Sequence, residues 1–308
     1  MQKPHVALVG DHDAKLIGQL RERFTLHRCM DPFAPADLPT DIRRSIIGLV
    51  TSGATGAGRP LLQSLPALRA VSVNGLGLDR LDTELCKERN ISIATTRGVL
   101  EQDVADLAMA LLLAVARRLV EADGFVRRGE WNERSFPLAQ RLSGRRCGIF
   151  GLGAIGRAIA CRAQAFGMSV GYVTKSSTAQ EGWQRFTDLQ SLAIWADTLI
   201  LAAPLTTETR GAVDAQVLRA LGEEGILVNV ARGSLVVEED LIAALHKRTI
   251  FGAGLDVFDS EPRIDSRFAS LPNTVIAPHI GSATHQTRAA MRDLTVQQLL
   301  SFLEDYRR

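Results

Sequence analysis

An arginine, a glutamate and a histidine each stand just past a short apolar run in the C-terminal half of the chain. Ile226–Val230 leads into Ala231-Arg232-Gly233, Gly252–Val257 into Phe258-Asp259-Ser260-Glu261-Pro262, and Val275–Ala277 into Pro278-His279-Ile280-Gly281-Ser282. A guanidinium can hold a carboxylate through paired hydrogen bonds and polarise the neighbouring carbonyl. An imidazole can give a proton to a developing alkoxide and take it back in reverse. A carboxylate beside that imidazole favours its charged form and fixes its orientation. Alone, each residue reads as a surface or turn residue. At consecutive strand ends they read as a set suited to a 2-oxo acid.

A second pattern lies upstream. Cys147-Gly148-Ile149-Phe150 runs into Gly151-Leu152-Gly153-Ala154-Ile155-Gly156, a strand entering G-x-G-x-x-G, and a helical stretch and another apolar run, Ser169–Val173, follow. Gly151 permits the tight turn, Gly153 lets the backbone approach a pyrophosphate, and Gly156 lets helix pack on strand. The helix start, through Ala154 and Ile155, offers N–H groups and a positive dipole end to phosphates. The motif alone is weak; its strand–turn–helix–strand context makes it a dinucleotide site. An acid near the end of the second strand would select NAD through the ribose 2′-OH. The stretch Thr174-Lys175-Ser176-Ser177 has none, and offers a cation and three hydroxyls. That favours NADP, with NAD possible.

These residues require a scaffold with strand ends on one edge. The chain has 308 residues, which at ~150 residues per domain predicts about two domains. Apolar runs alternate with helical stretches throughout. Val6–Val9, Ile46–Val50, Ala70–Val73 and Ile91–Ala94 form a first series of strands. Cys147–Phe150, Ser169–Val173, Thr198–Leu201, Ile226–Val230, Gly252–Val257 and Val275–Ala277 form a second. This predicts α/β architecture: two Rossmann-like, doubly wound parallel sheets. The final helix, Thr284–Leu303, could return to the first unit and make it discontinuous.

Composition excludes other classes. Lys and Arg number 36 against 34 Asp and Glu, a net charge of +2 with no basic block, which argues against a nucleic-acid partner. The apolar run Leu107–Ala116 is half a membrane span and reads as a buried helix. No secretory leader is evident. Cys29, Cys86, Cys147 and Cys161 match no zinc spacing. They read as reduced core thiols of a cytoplasmic protein, with no metal expected.

Seven stretches carry a family resemblance: "VSVNGLGLDRLD" (71–82), "DVADLAMALLLAVARR" (103–118), "GIFGLGAIGRAIA" (148–160), "LILAAPLTTETRG" (199–211), "LVNVARGSLVVEEDLIAAL" (227–245), "GAGLDVFDSEP" (252–262) and "VIAPHIGSATHQTR" (275–288). In their order they resemble the D-2-hydroxyacid dehydrogenases, most of all the glyoxylate/hydroxypyruvate and hydroxyphenylpyruvate reductases. The resemblance implies a substrate-binding domain over 1–97 and 283–308 and a dinucleotide-binding domain over 98–282, with a cleft between them. It implies that Arg232 binds the substrate carboxylate and carbonyl, and that Glu261 partners His279, the acid/base. Leu76 and Gly77 would donate backbone N–H groups to the substrate carboxylate. Pro204, Ala231, Asp256 and Gly281 would line the nicotinamide side. The helix over 104–119 would help form a homodimer, and a partner would explain its apolar character. Trp131 would pack the connector or reach a partner subunit. Lys175 stands where NADP-preferring relatives more often carry Arg.

The activity so implied is reduction of small 2-oxo acids, glyoxylate and hydroxypyruvate, to D-2-hydroxy acids. A 2-ketogluconate or aryl-pyruvate reductase on the same scaffold is the alternative. A dinucleotide-sensing, corepressor-like protein belongs to another class, and the intact Arg232, Glu261 and His279 argue against it.

Overall fold

The structure, a computed structural model, describes residues 3–176 and 182–305. The chain divides into two compact units. Residues up to Leu100 and those from Ala283 onward form the first, and Glu101–Ser282 form the second.

The first unit opens with β1 (His5–Val9), α1 (Ala14–Arg23), β2 (Thr25–Cys29), α2 (Thr40–Ser45) and β3 (Ile46–Ser52). It continues with α3 (Arg59–Gln63), β4 (Ala70–Asn74), α4 (Thr83–Glu88) and β5 (Ser92–Thr95). The five strands form one sheet in the order β2-β1-β3-β4-β5. Every pairing is parallel. Alternation along β1 explains why both faces are covered. Ala7 and Val9 join one core with Leu49, Val71 and Val73, while Val6 and Leu8 join the other with Leu16, Leu20, Val50 and Ala70. The Asp13 carboxylate caps α1 by accepting from the amides of Lys15 and Leu16, each at 2.9 Å.

The second unit begins with α5 (Glu101–Ala116), α6 (Leu119–Arg127), β6 (Arg146–Phe150), α7 (Ala154–Ala165), β7 (Ser169–Val173) and β8 (Gln184–Arg185). Then come α8 (Leu189–Trp195), β9 (Thr198–Leu201), α9 (Ala215–Leu221), β10 (Ile226–Asn229), α10 (Glu238–His246), β11 (Gly252–Leu255), α11 (Arg267–Ser270) and β12 (Thr274–Ile276). The seven strands lie in the order β12-β11-β10-β9-β6-β7-β8, again all parallel. The last helix, α12 (His285–Asp305), packs on β3, β4 and β5 of the first unit. The Ser72 hydroxyl donates to the Thr295 carbonyl at 3.2 Å, and Leu299 and Leu303 are buried.

The sequence pattern misses two edge strands. β2 reads Thr-Leu-His-Arg-Cys, with mostly half-exposed residues, and pairs only with β1. β8 is two exposed residues, pairing among the described residues only with β7. An edge strand with solvent on one side lacks the continuous apolar run that marks a central parallel strand. Helix α5 also needs no partner to explain its composition. Val104, Ala105, Ala108, Met109, Leu111, Leu112, Val115 and Ala116 are buried within this chain, where the helix packs on α7, β10 and β11.

Candidate active site

Strand register puts one row of residues on a common edge of the second sheet. Val173 pairs with Phe150, Phe150 with Leu201, Leu201 with Asn229, Asn229 with Leu255, and Leu255 with Ile276. The loops that leave this row therefore emerge side by side. They carry Gly151–Gly156, Thr174–Ser176, Pro204, Ala231–Arg232, Asp256–Glu261 and His279–Gly281. Ligands of doubly wound sheets bind outside this carboxyl edge, at the point where strand order reverses. Here that point lies between β6 and β9.

The glycine turn is built for close approach. Gly151 has φ +100°, and a Cβ there would meet the Ala203 nitrogen at 2.4 Å. A Cβ on Gly156 would lie 2.0 Å from the Gly151 carbonyl oxygen, so a larger residue would force α7 off β6. Gly153 differs: it is the N-cap of α7, makes no side-chain cap, and has open space where a Cβ would stand. With no side-chain cap, the first turn of this twelve-residue helix presents the positive end of its dipole and amides that lack an intrahelical acceptor. This fits a dinucleotide pyrophosphate, with Gly151, Gly153, Ala154, Ile155 and Gly156 forming the cradle.

At the β11 and β12 ends, His279 Nδ1 lies 2.6 Å from Glu261 Oε2. A carboxylate can only accept, so Nδ1 carries the proton and Nε2 is left for chemistry. Burial alone would push the Glu261 carboxyl up. The His279 hydrogen bond, the Phe258 amide (2.8 Å to Oε1) and the charges of His279 and Arg232 outweigh it and hold the carboxyl below its ordinary value. Arg232 follows β10. Its loop is shaped by Asn229, whose side chain donates to the Arg232 carbonyl at 2.9 Å and accepts from the Ala231 amide at 3.1 Å. Arg232 Nη1 donates to the Ala231 carbonyl at 2.7 Å. The β10 and β11 loops touch: a Cβ on Gly233 would lie 2.0 Å from the Phe258 carbonyl carbon, and Ser234 hydrogen-bonds Asp259.

Asp256 straps the histidine loop to β11. Its carboxylate accepts from the Ile280 amide at 2.7 Å and the Gly281 amide at 2.8 Å, and its carbonyl accepts from the His279 amide at 2.9 Å. These bonds hold His279 at φ +54°, a left-handed backbone that non-glycine residues seldom adopt. Asp256 is 1% exposed, and burial raises the pKa of its carboxyl against the pull of the two amides. Asp256→Asn keeps the size but turns an NH₂ toward one of those amides. It is expected to destabilise the fold by about 1–3 kcal/mol and to lower turnover through misplacement of His279. Thermal unfolding and kcat check this together. A variant with wild-type stability and turnover would remove Asp256 as the strap.

Other expected residues fall as follows. Leu76 and Gly77 lie in the first unit, in the loop after β4, where Gly77 backbone backs onto Gly53. Thr174, Lys175 and Ser176 follow β7, while Ser177 lies outside the described residues. Pro204 follows β9, its carbonyl accepting from Thr209 Oγ1 at 2.8 Å. Two expectations need correction. Cys161 is exposed on α7, whereas Cys29, Cys86 and Cys147 are buried, their thiols pushed up to about 11, 11 and 12 by burial. Trp131 is 71% exposed in this chain, which removes the packing alternative and leaves the partner-subunit one. Asn229 and the strap role of Asp256 are absent from the sequence reading. A lone amide ending the apolar run Ile-Leu-Val-Asn is the signal that marks Asn229. A cavity of about 430 Å³ opens at the other edge of the sheet, among Val115, Phe251, Asn273 and Val275, and none of the residues named for chemistry lines it. Among the described residues, no cluster of three or more His, Cys, Asp or Glu could hold a metal, and no helix is long and apolar enough to cross a membrane.

Comparison with known proteins gives the family. Residues 109–281 match the NAD-binding domain of the D-isomer-specific 2-hydroxyacid dehydrogenases. The chain is 40% identical over 303 residues to a 2-ketogluconate reductase of Gluconobacter oxydans, covering 98% of this chain and 96% of that protein. It is 40% identical over 299 residues to glyoxylate/hydroxypyruvate reductase A of Arabidopsis thaliana, covering 97% and 96%. An NADPH-dependent glyoxylate/hydroxypyruvate reductase from Sinorhizobium meliloti, solved with NADP and malonate, superposes with a TM-score of 0.92 at 39% identity, covering 98% of this chain and 94% of that one. The chain therefore belongs to the D-isomer-specific 2-hydroxyacid dehydrogenase family.

Proposed function

We propose that this protein reduces small 2-oxo acids, glyoxylate and hydroxypyruvate foremost, to D-2-hydroxy acids, with NADPH preferred over NADH. The observation that carries the reading is one shared sheet edge bearing the glycine turn, Arg232 and the hydrogen-bonded Glu261–His279 pair. The reductases named above support the substrate class, and the NADP-bound relative supports the cofactor.

The nicotinamide, when bound, supplies a hydride to the carbonyl carbon. Arg232 holds the substrate carboxylate and draws electron density toward the carbonyl oxygen. Leu76 and Gly77, in the first unit, are proposed as further substrate ligands through their backbone amides. His279 holds a proton at Nε2 for the oxygen, and Glu261 offsets the imidazolium charge and keeps the ring in one tautomer. Gly151, Gly153, Ala154, Ile155 and Gly156 would hold the pyrophosphate. Thr174, Lys175 and Ser176 would serve the adenosine ribose, and Pro204, Ala231, Asp256 and Gly281 the nicotinamide side.

The working form is proposed to be a homodimer joined in the region of α5. Exposed Leu119, Val120, Val126 and Leu138, at and beyond its C-terminal end, support this. Sedimentation of a monomer at micromolar concentration would argue against it. Four free cysteines support a reducing, cytoplasmic setting.

Steady-state oxidation of NADPH and of NADH, each with glyoxylate, hydroxypyruvate, phenylpyruvate and 2-ketogluconate, tests the function. The expected result is turnover favouring NADPH with glyoxylate or hydroxypyruvate. A clear preference for 2-ketogluconate would move the assignment to the activity of the Gluconobacter relative. Cofactor binding without turnover of any acid would overturn the reductase reading.

A further inference from the structure

We infer that the choice between NADPH and NADH is set by three charges drawn from three strand ends: Lys175 after β7, Arg185 on β8 and Glu208 after β9. The inference rests on the dinucleotide reading above and adds Arg185 and Glu208 to it.

Arg185 pairs across the sheet with Tyr172, which places it beside the loop that leaves β7. Its Nη2 donates to the Ser176 carbonyl at 2.9 Å and to the Thr174 carbonyl at 3.4 Å. The guanidinium thus brackets Lys175 from both sides along the backbone. It fixes the loop and brings a second positive charge to it. Lys175 is itself engaged, its Nζ 3.4 Å from Glu208 Oε2. Glu208 also accepts from Thr206 Oγ1 at 2.7 Å. The Thr206 hydroxyl first, then its own backbone amide and Lys175, hold its carboxyl at about 2, so it is charged at neutral pH.

The two cofactors differ only in what the adenosine ribose carries at this edge. A 2′-phosphate brings about two negative charges at neutral pH. It gains from Lys175 and Arg185 and is opposed by Glu208. Lys is a compact point charge, and a guanidinium adds the planar fork that matches phosphate oxygens. A bare 2′-OH brings no charge and can donate to a carboxylate such as Glu208. The triad therefore acts in opposite senses on the two cofactors. Two cations favour the phosphate, and one anion limits that preference by holding Lys175 and repelling the newcomer.

The test is cofactor titration without substrate, followed by nicotinamide fluorescence, at low and high ionic strength. Arg185→Ala is expected to weaken NADPH about tenfold, as loss of one charge-assisted contact does, with NADH moving less than twofold. Arg185→Lys should recover part of the NADPH affinity. Glu208→Gln should tighten NADPH severalfold and leave NADH equal or weaker. Added salt should shrink the NADPH effects and spare NADH. Equal weakening of both cofactors in Arg185→Ala would mean that Arg185 only holds the loop, and would overturn the inference. So would Glu208→Gln with unchanged or weaker NADPH binding. Wild-type protein that binds neither cofactor would instead remove the dinucleotide reading beneath it.

Discussion

Replacing His279 is expected to lower kcat by a factor of ~10²–10⁴, the usual worth of a positioned acid/base group, while NADPH still binds. The reason lies in the geometry at Nδ1, 2.6 Å from Glu261 Oε2. That bond places a proton on Nδ1 and leaves Nε2 free for the proton exchange proposed above. The choice of variant matters, because His279 sits at φ +54°. Ala is strained there, and a loss in His279→Ala could reflect a displaced loop. Asn tolerates the left-handed backbone but has no group that titrates near neutral pH. Both variants should therefore lose turnover alike, and only His279→Ala should also lose thermal stability. A His279→Asn enzyme at near wild-type rate would sink the acid/base assignment. The pH profile separates the partners. A carboxyl held below its ordinary value contributes above the unfolded value of about 4.3 and is lost only as pH falls through the lower folded one. Glu261 thus stays charged at and above about pH 5, and any activity change there belongs to another group.

Arg232→Lys is expected to lower kcat/KM for the 2-oxo acid by ~10²–10³, about 3–4 kcal/mol, despite keeping the charge. Lys presents one ammonium where a guanidinium presents two parallel donors, so carboxylate and carbonyl cannot both be served. The loop itself should survive. Asn229 shapes it through the Arg232 carbonyl and the Ala231 amide, and neither depends on the side chain at 232. Hence KM for the oxo acid should rise, while the Kd for NADPH and the melting temperature stay near wild type. If NADPH affinity falls in parallel, Arg232 serves the cofactor side rather than the substrate.

The glycine turn can be read from sequence because each glycine answers a steric demand that no other residue meets. Gly151 needs a positive φ, and Gly156 has no room for a Cβ against the Gly151 carbonyl. Arg232, Glu261 and His279 can be picked out because each stands in a short loop that follows an apolar run. What cannot be read depends on residues distant in sequence. Asp256 reaches amides at 280 and 281, and nothing local in Leu-Asp-Val announces it. Arg185 bears on the loop after β7 only because a two-residue edge strand turns it back, and that strand has no apolar signature. The apolar helix α5 shows the opposite ambiguity. Its own sheet and α7 bury most of its apolar residues, so its composition alone does not call for a partner subunit. A one-dimensional pattern reports that a face is covered, not by what.

The split layout of the first unit has a consequence for how the protein is made. One face of its sheet, with Val6, Leu8, Val50 and Ala70, is completed by Leu299 and Leu303 of α12. A Cβ on Gly48 would lie 3.0 Å from Leu299 Cδ1, so the helix sits directly against β3. On a growing chain α1 can cover part of that face early, but the part that α12 covers stays open while all of Glu101–Ser282 is translated. At ~5–20 residues per second, the wait is on the order of 10–40 s. The second unit is contiguous and can close its core before α12 leaves the ribosome. Maturation therefore runs against sequence order: the unit begun first is finished last, and until then the strip of sheet awaiting Leu299 and Leu303 is what a nascent-chain chaperone would meet.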